Sequence, residues 1–286
     1  MAETGIWTAD DVARVLRRPT ASDDKYSRGV LGVRTGSDDY PGAAVLGVEA
    51  AWRTGLGMVR YLGPPVATGL VLQRRPETVT IDGRVQAWLI GSGTDAATRS
   101  ARETTVLRGI LSGAVPVVVD AGALDLAAGA AAPRVVTPHA REHARLRAVL
   151  GLDDGAGDDP DDGARTASAL GTAEALGATV LLKGAVTVVA APGGWTARVA
   201  APTAWLATAG TGDVLGGILG ALVAGGPVPD AGVLGPLAAS AAWLHGRAGT
   251  LASAARGGGP VTALDVARAV PRAVGEILIG DTPSQS

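Results

Sequence analysis

The 286-residue chain contains no cysteine. That excludes disulfides, thiolate nucleophiles and cysteine metal sites, so stability and chemistry must come from packing, carboxylates, hydroxyls and backbone groups. It also lacks an excess of either charge. Lys and Arg number 25 against 27 Asp and Glu, for a formal net charge of -2, so there is no general attraction for nucleic acid and no such partner is expected. The first residues, MAETGIWTADD, carry acids and lack the basic start and apolar run of an export signal. The most apolar stretch, Val214 to Ala224, contains three glycines and falls short of the roughly 20 apolar residues that span a bilayer. It reads as a buried helix, and the expectation is a cytoplasmic protein with no membrane partner.

What is present describes a globular chain, 47% hydrophobic and 18% charged. Without an internal repeat or a linker that would divide it, residues 1–286 read as one domain, with the N-terminal ~20 and C-terminal ~8 residues peripheral. Short β-branched runs recur, each followed by a turn and an Ala/Leu-rich segment of helical length. This is the rhythm of an α/β fold with a mostly parallel central sheet and helices on both faces. The predicted strands are Val30 to Val33, Met58 to Leu62, Trp88 to Ile90, Val117 to Val119, Arg134 to Val136 and Thr179 to Leu182. Val186–Ala190, a Pro192-Gly193-Gly194 turn and Trp195–Val199 then predict an antiparallel hairpin at the sheet edge. Val214, Leu215, Ile218, Leu219, Leu222 and Val223 recur at helical spacing and predict a helix stopped by Gly225 and Gly226. The Asp/Gly-dense stretch from Asp153 to Asp162 reads as a solvated loop.

Several segments carry chemistry. Ala209-Gly210-Thr211-Gly212-Asp213 directly precedes the apolar helix, where glycines let amide N–H groups converge at the positive end of the helix dipole and hold phosphate oxygens. Asp213 reads there either as a general base for phosphoryl transfer or as an ordinary helix N-cap. Thr137-Pro138-His139-Ala140-Arg141-Glu142 and Lys183-Gly184-Ala185-Val186-Thr187 each follow a predicted strand, at the end where open parallel sheets bind ligands. Glu142 suits either water-mediated support of Mg²⁺ or a helix start, and Lys183 either a nucleotide contact or solvent. Asp120, closing Val117-Val118-Val119, is a ligand-facing acid or a cap. His245, between Leu244 and Gly246, reads as structural, and His143 as surface.

In their order along the chain, Tyr40-Pro41-Gly42-Ala43-Ala44, Gly91-Ser92-Gly93, Val119-Asp120-Ala121, Thr137-Pro138-His139, Lys183 to Thr187, Ala209 to Asp213 and Leu244-His245-Gly246 resemble the ADP-dependent NAD(P)H-hydrate dehydratases, over about Lys25 to Gly249. The resemblance implies a ribokinase-like fold. It implies a nucleotide, ADP or ATP, held by Lys183, Gly184, Ala185, Val186 and Thr187 with Gly210, Thr211 and Gly212, and a hydrated dinucleotide held by Ala43, Gly93, His139 and Asp213. Asp213 is then the catalytic base and Mg²⁺ lies near Glu142. The implied reaction is nucleotide-dependent dehydration of the S epimer of hydrated NAD(P)H, with release of AMP or ADP and phosphate. A separate epimerase is the implied functional partner and a homo-oligomer, taken as a tetramer, the implied assembly. The chain departs from the family's typical pattern at Arg34-Thr35-Gly36 (for Gly-Gly-Ser), Ser92 (for Pro), Gly122 (for an acid), Asp125 (for Asn), Arg141 (for Gly) and Pro202-Thr203-Ala204-Trp205 (for Gly-Asn-Pro-Gly). Trp205 either stacks on a base or fills a gap. The rival readings are a small-alcohol kinase of the same fold, whose members typically carry asparagine where His139 stands, and a noncatalytic nucleotide-binding paralogue.

Overall fold

In the computed structural model of the chain, residues 5–152, 162–226 and 231–280 are described. Nine strands form one sheet: β1 (Gly5–Ile6), β2 (Val30–Arg34), β3 (Met58–Tyr61), β4 (Ala87–Ile90), β5 (Val117–Val119), β6 (Arg134–Val136), β7 (Thr179–Leu182), β8 (Val186–Ala190) and β9 (Thr196–Ala200), in the spatial order β1-β9-β8-β7-β6-β5-β4-β2-β3. Pairing is parallel from β3 through β7 and antiparallel within β7-β8-β9. The predicted strands are all present, some displaced by a residue at an end.

The strands read as continuous apolar runs because both faces are covered. Successive side chains of β4 to β8 alternate between two cores: Leu89, Val118, Val135, Leu181 and Val189 enter one, and Ile90, Val119, Val136, Leu182 and Val188 the other. The first core is closed by α1 (Ala9–Val15), α2 (Pro41–Thr54), α7 (Thr211–Gly225), α8 (Ala231–Ala254) and α9 (Ala263–Gly280). The second is closed by α4 (Ala101–Leu111), α5 (Ala140–Val149) and α6 (Asp162–Leu176), with a 3-10 turn at Ala121–Leu126, while α3 (Pro65–Arg74) packs on α2. With no Phe in the chain, the cores are built from Ala, Val, Leu and Ile with Tyr61, and helices approach closely. A Cβ on Gly217 of α7 would lie 2.2 Å from the Gly47 carbonyl oxygen of α2, so only glycine allows this crossing.

Two expectations need correction. The β8-β9 hairpin is not the sheet edge, because β1 lies outside β9 in parallel register, Gly5 opposite Ala197. Nor is the N-terminal segment peripheral from Gly5 onward. Trp7 meets Trp195 edge to face at 5.7 Å and donates to Ser240 Oγ at 3.0 Å, and Val12 is fully buried. A two-residue strand has no apolar run by which to announce itself. Apart from Asp162, which opens α6, the stretch read as an Asp/Gly loop lies outside the described residues, as do residues 281–286. No described helix is long and apolar enough to cross a membrane.

Candidate active site

The carboxyl ends of β4, β5, β6 and β7 lie side by side and deliver Ser92, Asp120, Thr137 and Lys183 to one place. The sequence left Asp120 open between ligand-facing acid and cap. Although it occupies the N-cap position of the 3-10 turn, its side chain makes no capping bond. Instead Oδ1 accepts from Thr137 Oγ1 at 2.7 Å and Lys183 Nζ at 2.9 Å, and Oδ2 accepts from Ser92 Oγ at 2.9 Å. Lys183 is not simply solvated. Its Nζ also lies 3.7 Å from Glu142 Oε2. Burial alone would depress its pKa, but the carboxylates of Asp120 and Glu142 more than offset this and hold it above the ordinary value.

Asp213 stands in the first turn of α7. Gly210 immediately before it has φ +87, a left-handed conformation that glycine adopts without strain. Thr211 Oγ1 ties the turn back to the Leu206 and Thr208 carbonyls. The Thr211 N–H is spent on the Thr208 carbonyl, which leaves the Gly212 and Asp213 amides as the first-turn donors that a helix start frees. Burial, reinforced by the Asp120 carboxylate and opposed by the Lys183 ammonium, pushes the Asp213 carboxyl up to about 7.

Two cavities flank this cluster. The first, about 610 Å³, is lined by Lys183, Gly184, Ala185 and Thr187 from the β7-β8 turn, Thr211 and Gly212 from α7, His139, His245 and the segment around Thr203 to Thr208. The second, about 670 Å³, is lined by Tyr40, Gly93 to Ala96, Ala121, Gly122, Asp125, Glu142 and Arg145 among others. They adjoin across Lys183 and Glu142. Of the residues singled out in the sequence, Val186 and Gly210 support the first cavity without lining it. Ala43 lies under the second, where a Cβ on Gly93 would come within 2.4 Å of its own. His139, expected with the dinucleotide, lines the first cavity rather than the second.

A family model described as NAD(P)H-hydrate dehydratase matches residues 31–272. The chain belongs to this family. The bifunctional NAD(P)H-hydrate repair enzyme of Mycobacterium tuberculosis is 46% identical over 242 residues, which cover 79% of this chain and 48% of the relative. The chain thus spans about half the length of the first curated relatives it matches. The ADP-dependent (S)-NAD(P)H-hydrate dehydratase of Neisseria meningitidis is 35% identical over 85% of this chain and 83% of its own. Among solved structures, the ADP/ATP-dependent NAD(P)H-hydrate dehydratase of Bacillus subtilis, co-crystallised with ATP and Mg²⁺, superposes with a TM-score of 0.82 at 25% identity, over 97% of this chain and 100% of that one. The fold is ribokinase-like, as the resemblance implied.

Within the dehydratase family, this chain's departures have local structural partners. Arg34 forms a two-point ion pair with Glu103, at 2.7 and 2.5 Å, and donates to the Leu62 carbonyl. Gly122 leaves room for Thr94, whose carbonyl oxygen would lie 2.2 Å from a Cβ there. Arg99 clamps Asp125 through both terminal guanidinium nitrogens, Nη1 and Nη2, and also donates to the Gly122 carbonyl. Trp205 donates to the Gly258 carbonyl at 3.0 Å and remains partly exposed. His139 is the N-cap of α5: its Nδ1 accepts from the Arg141 and Glu142 amides, while Glu142 Oε2 accepts from the His139 amide at 2.8 Å. His143 is buried rather than at the surface. Its Nε2 meets Thr172 Oγ1 of α6 at 2.9 Å, and burial, with Arg147 and Arg165 nearby, lowers its pKa to about 4. His245 is buried yet also lines the first cavity, and its pKa is lowered to about 4 by that burial.

Proposed function

We propose that the chain dehydrates the S epimer of hydrated NAD(P)H using ADP or ATP, restoring NAD(P)H and releasing AMP or ADP together with phosphate. The carrying observation is Asp213, a half-buried carboxyl pushed up to about 7 in the first turn of α7, next to Gly212 and within the field of Lys183, both of which line the first cavity. A base with a pKa near the working pH is matched to taking a proton from an attacking hydroxyl. In this reading Lys183, Gly184, Ala185, Val186, Thr187, Gly210, Thr211 and Gly212 hold the nucleotide in the first cavity. Gly93, with Ala43 beneath it, holds the hydrated dinucleotide in the second, and His139 meets its ligand from the first cavity.

The hydroxyl on the hydrated ring attacks the terminal phosphorus of the nucleotide, and its proton passes to Asp213. The bond from phosphorus to the bridging oxygen breaks, and its electron pair leaves with AMP or ADP. The ring carbon–oxygen bond of the new phosphate ester then breaks, its electron pair leaving with phosphate, and the adjoining ring carbon gives a proton to solvent, which re-forms the ring double bond. The Gly212 and Asp213 amides and the Lys183 ammonium stabilise the charge gathering on the phosphoryl oxygens. No group of three or more acidic or histidine side chains placed to hold a metal occurs among the described residues. This suits Mg²⁺, which is commonly bound by substrate phosphates and water with one or two carboxylates; Glu142 is the nearby carboxylate. The ion would supply charge neutralisation on the phosphates. An epimerase activity would keep the S epimer supplied.

The test is to mix the purified protein with an epimer mixture of NADH hydrate, Mg²⁺ and ADP or ATP, and to follow NADH absorbance. Recovery that requires nucleotide and stops when the S epimer is consumed is expected. A stable phosphorylated product without NADH points instead to a small-alcohol kinase, and nucleotide binding without turnover to a noncatalytic paralogue.

A further inference from the structure

We propose that Asp120 is a positioning residue of the phosphoryl-transfer step: clamped by Ser92 and Thr137, its carboxylate parks the Lys183 ammonium at the first turn of α7 and keeps it from pairing with Asp213. The inference rests on the function proposed above and adds a role to a residue that touches neither ligand cavity.

The geometry is that of a built clamp. Asp120 is 4% exposed, and its three side-chain donors come from three different strand ends: Ser92 after β4, Thr137 after β6 and Lys183 after β7. Two hydroxyls fix both carboxylate oxygens, so the direction in which the carboxylate faces Lys183 is set before any ligand arrives. The next residue, Ala121, has φ +44, the one non-glycine residue in the left-handed region among those described. Such a conformation costs free energy and persists where the surroundings over-determine it, and here it belongs to the turn that carries Asp120 into the cluster.

Lys183 needs such a clamp because it has other carboxylates to choose from. Its Nζ lies 3.9 Å from the place a Cβ on Gly212 would take, and 3.7 Å from Glu142 Oε2, and Asp213 feels its charge. An ammonium free to swing onto Asp213 would neutralise the base by ion pairing. Held on Asp120, it remains within reach of phosphate oxygens while Asp213 stays available for a proton. Ser92 supplies the hydroxyl that fixes Oδ2.

The experiment is a double-mutant cycle on turnover, combined with a titration of Asp213 in the ligand-free protein by carboxyl-carbon NMR. Asp120→Asn is expected to lower kcat about 10- to 100-fold, a usual size for coupling within one charge network, with little change in nucleotide KM. In a Lys183→Met background the same substitution should cost almost nothing further. The groups facing Asp213 are Asp120 and Lys183, so removing the Asp120 charge and freeing Lys183 should both move the Asp213 midpoint downward from about 7. Ser92→Ala, a milder change that keeps the carboxylate, should give a smaller effect in the same direction. An equal loss of kcat with and without Lys183, or an unmoved Asp213 midpoint, overturns the proposal. If the parent protein fails on hydrated NADH yet the midpoint shifts as expected, the substrate reading falls and the clamp stands.

Discussion

Glu49 and Asp213 lie on two helices, α2 and α7, that pack against each other, and their carboxyl groups are held in opposite ways. Glu49 is fully buried and would be pushed up by that burial, but Arg75, Arg53 and Arg74 all reach it and hold it down at about 2. Asp213 has only the Lys183 charge in its favour, and that lysine is engaged by Asp120, so burial prevails and the carboxyl rises to about 7. One carboxylate is saturated with partners and closes the seam between α2 and α3. The other is left short of them and so can exchange a proton near neutrality. Neighbouring charge, rather than depth, separates the acid held ionised from the one proposed as base.

Exchanging the two conditions tests the contrast. Asp213→Asn should cost the most, about 10²- to 10⁴-fold in kcat with the fold retained, because a general base is removed. The same variant should also change stability with the sign set by linkage. The folded Asp213 value lies above its ordinary 3.8, so the parent loses stability as pH rises from about 4 to about 7, and the asparagine variant should melt higher than the parent at about pH 8 and alike at about pH 4. Glu49 has the reverse sign. Its folded value lies below the ordinary 4.5, so its contribution is present above that pH and lost as pH falls toward 2. Glu49→Gln should therefore destabilise by about 2–3 kcal/mol at neutral pH in urea unfolding, less than a fully buried pair because the three arginines are partly solvated. Gly217→Ala attacks the crossing that brings the two helices together, at a predicted cost of ~1–3 kcal/mol by overpacking. It should lower turnover as well, since Asp213 lies one turn earlier on α7. Arg74→Ala, which removes the most exposed of the three arginine partners, should cost under ~1 kcal/mol by the same unfolding measurement.

The sequence disclosed the parts whose causes are local. Strands buried on both faces had to be apolar runs, the Pro192-Gly193-Gly194 turn had to reverse the chain, and α7 carried its spacing openly. It disclosed far less where partners are distant. His143 sits in the charged run Ala140-Arg141-Glu142-His143-Ala144-Arg145 and reads as surface, because the Thr172 hydroxyl that satisfies it belongs to another helix. Asp120 stayed undecided between cap and ligand-facing acid for the same reason, as its donors arrive from three other strand ends. Glu49 gives no signal within α2, since two of its three arginines, Arg74 and Arg75, come from α3 and the residue after it. The chemistry of the site was legible as residue types in order, whereas its charge balance is a property of the assembled fold.

The short strand β1 carries a consequence for the timing of folding. Gly5 precedes its neighbour Ala197 in synthesis by most of the sheet. Closing so long a loop for a two-residue pairing is entropically costly, so β1 should dock last and depart first. Its amides should exchange with solvent ahead of those of the central strands, and until it docks β9 waits as an open edge.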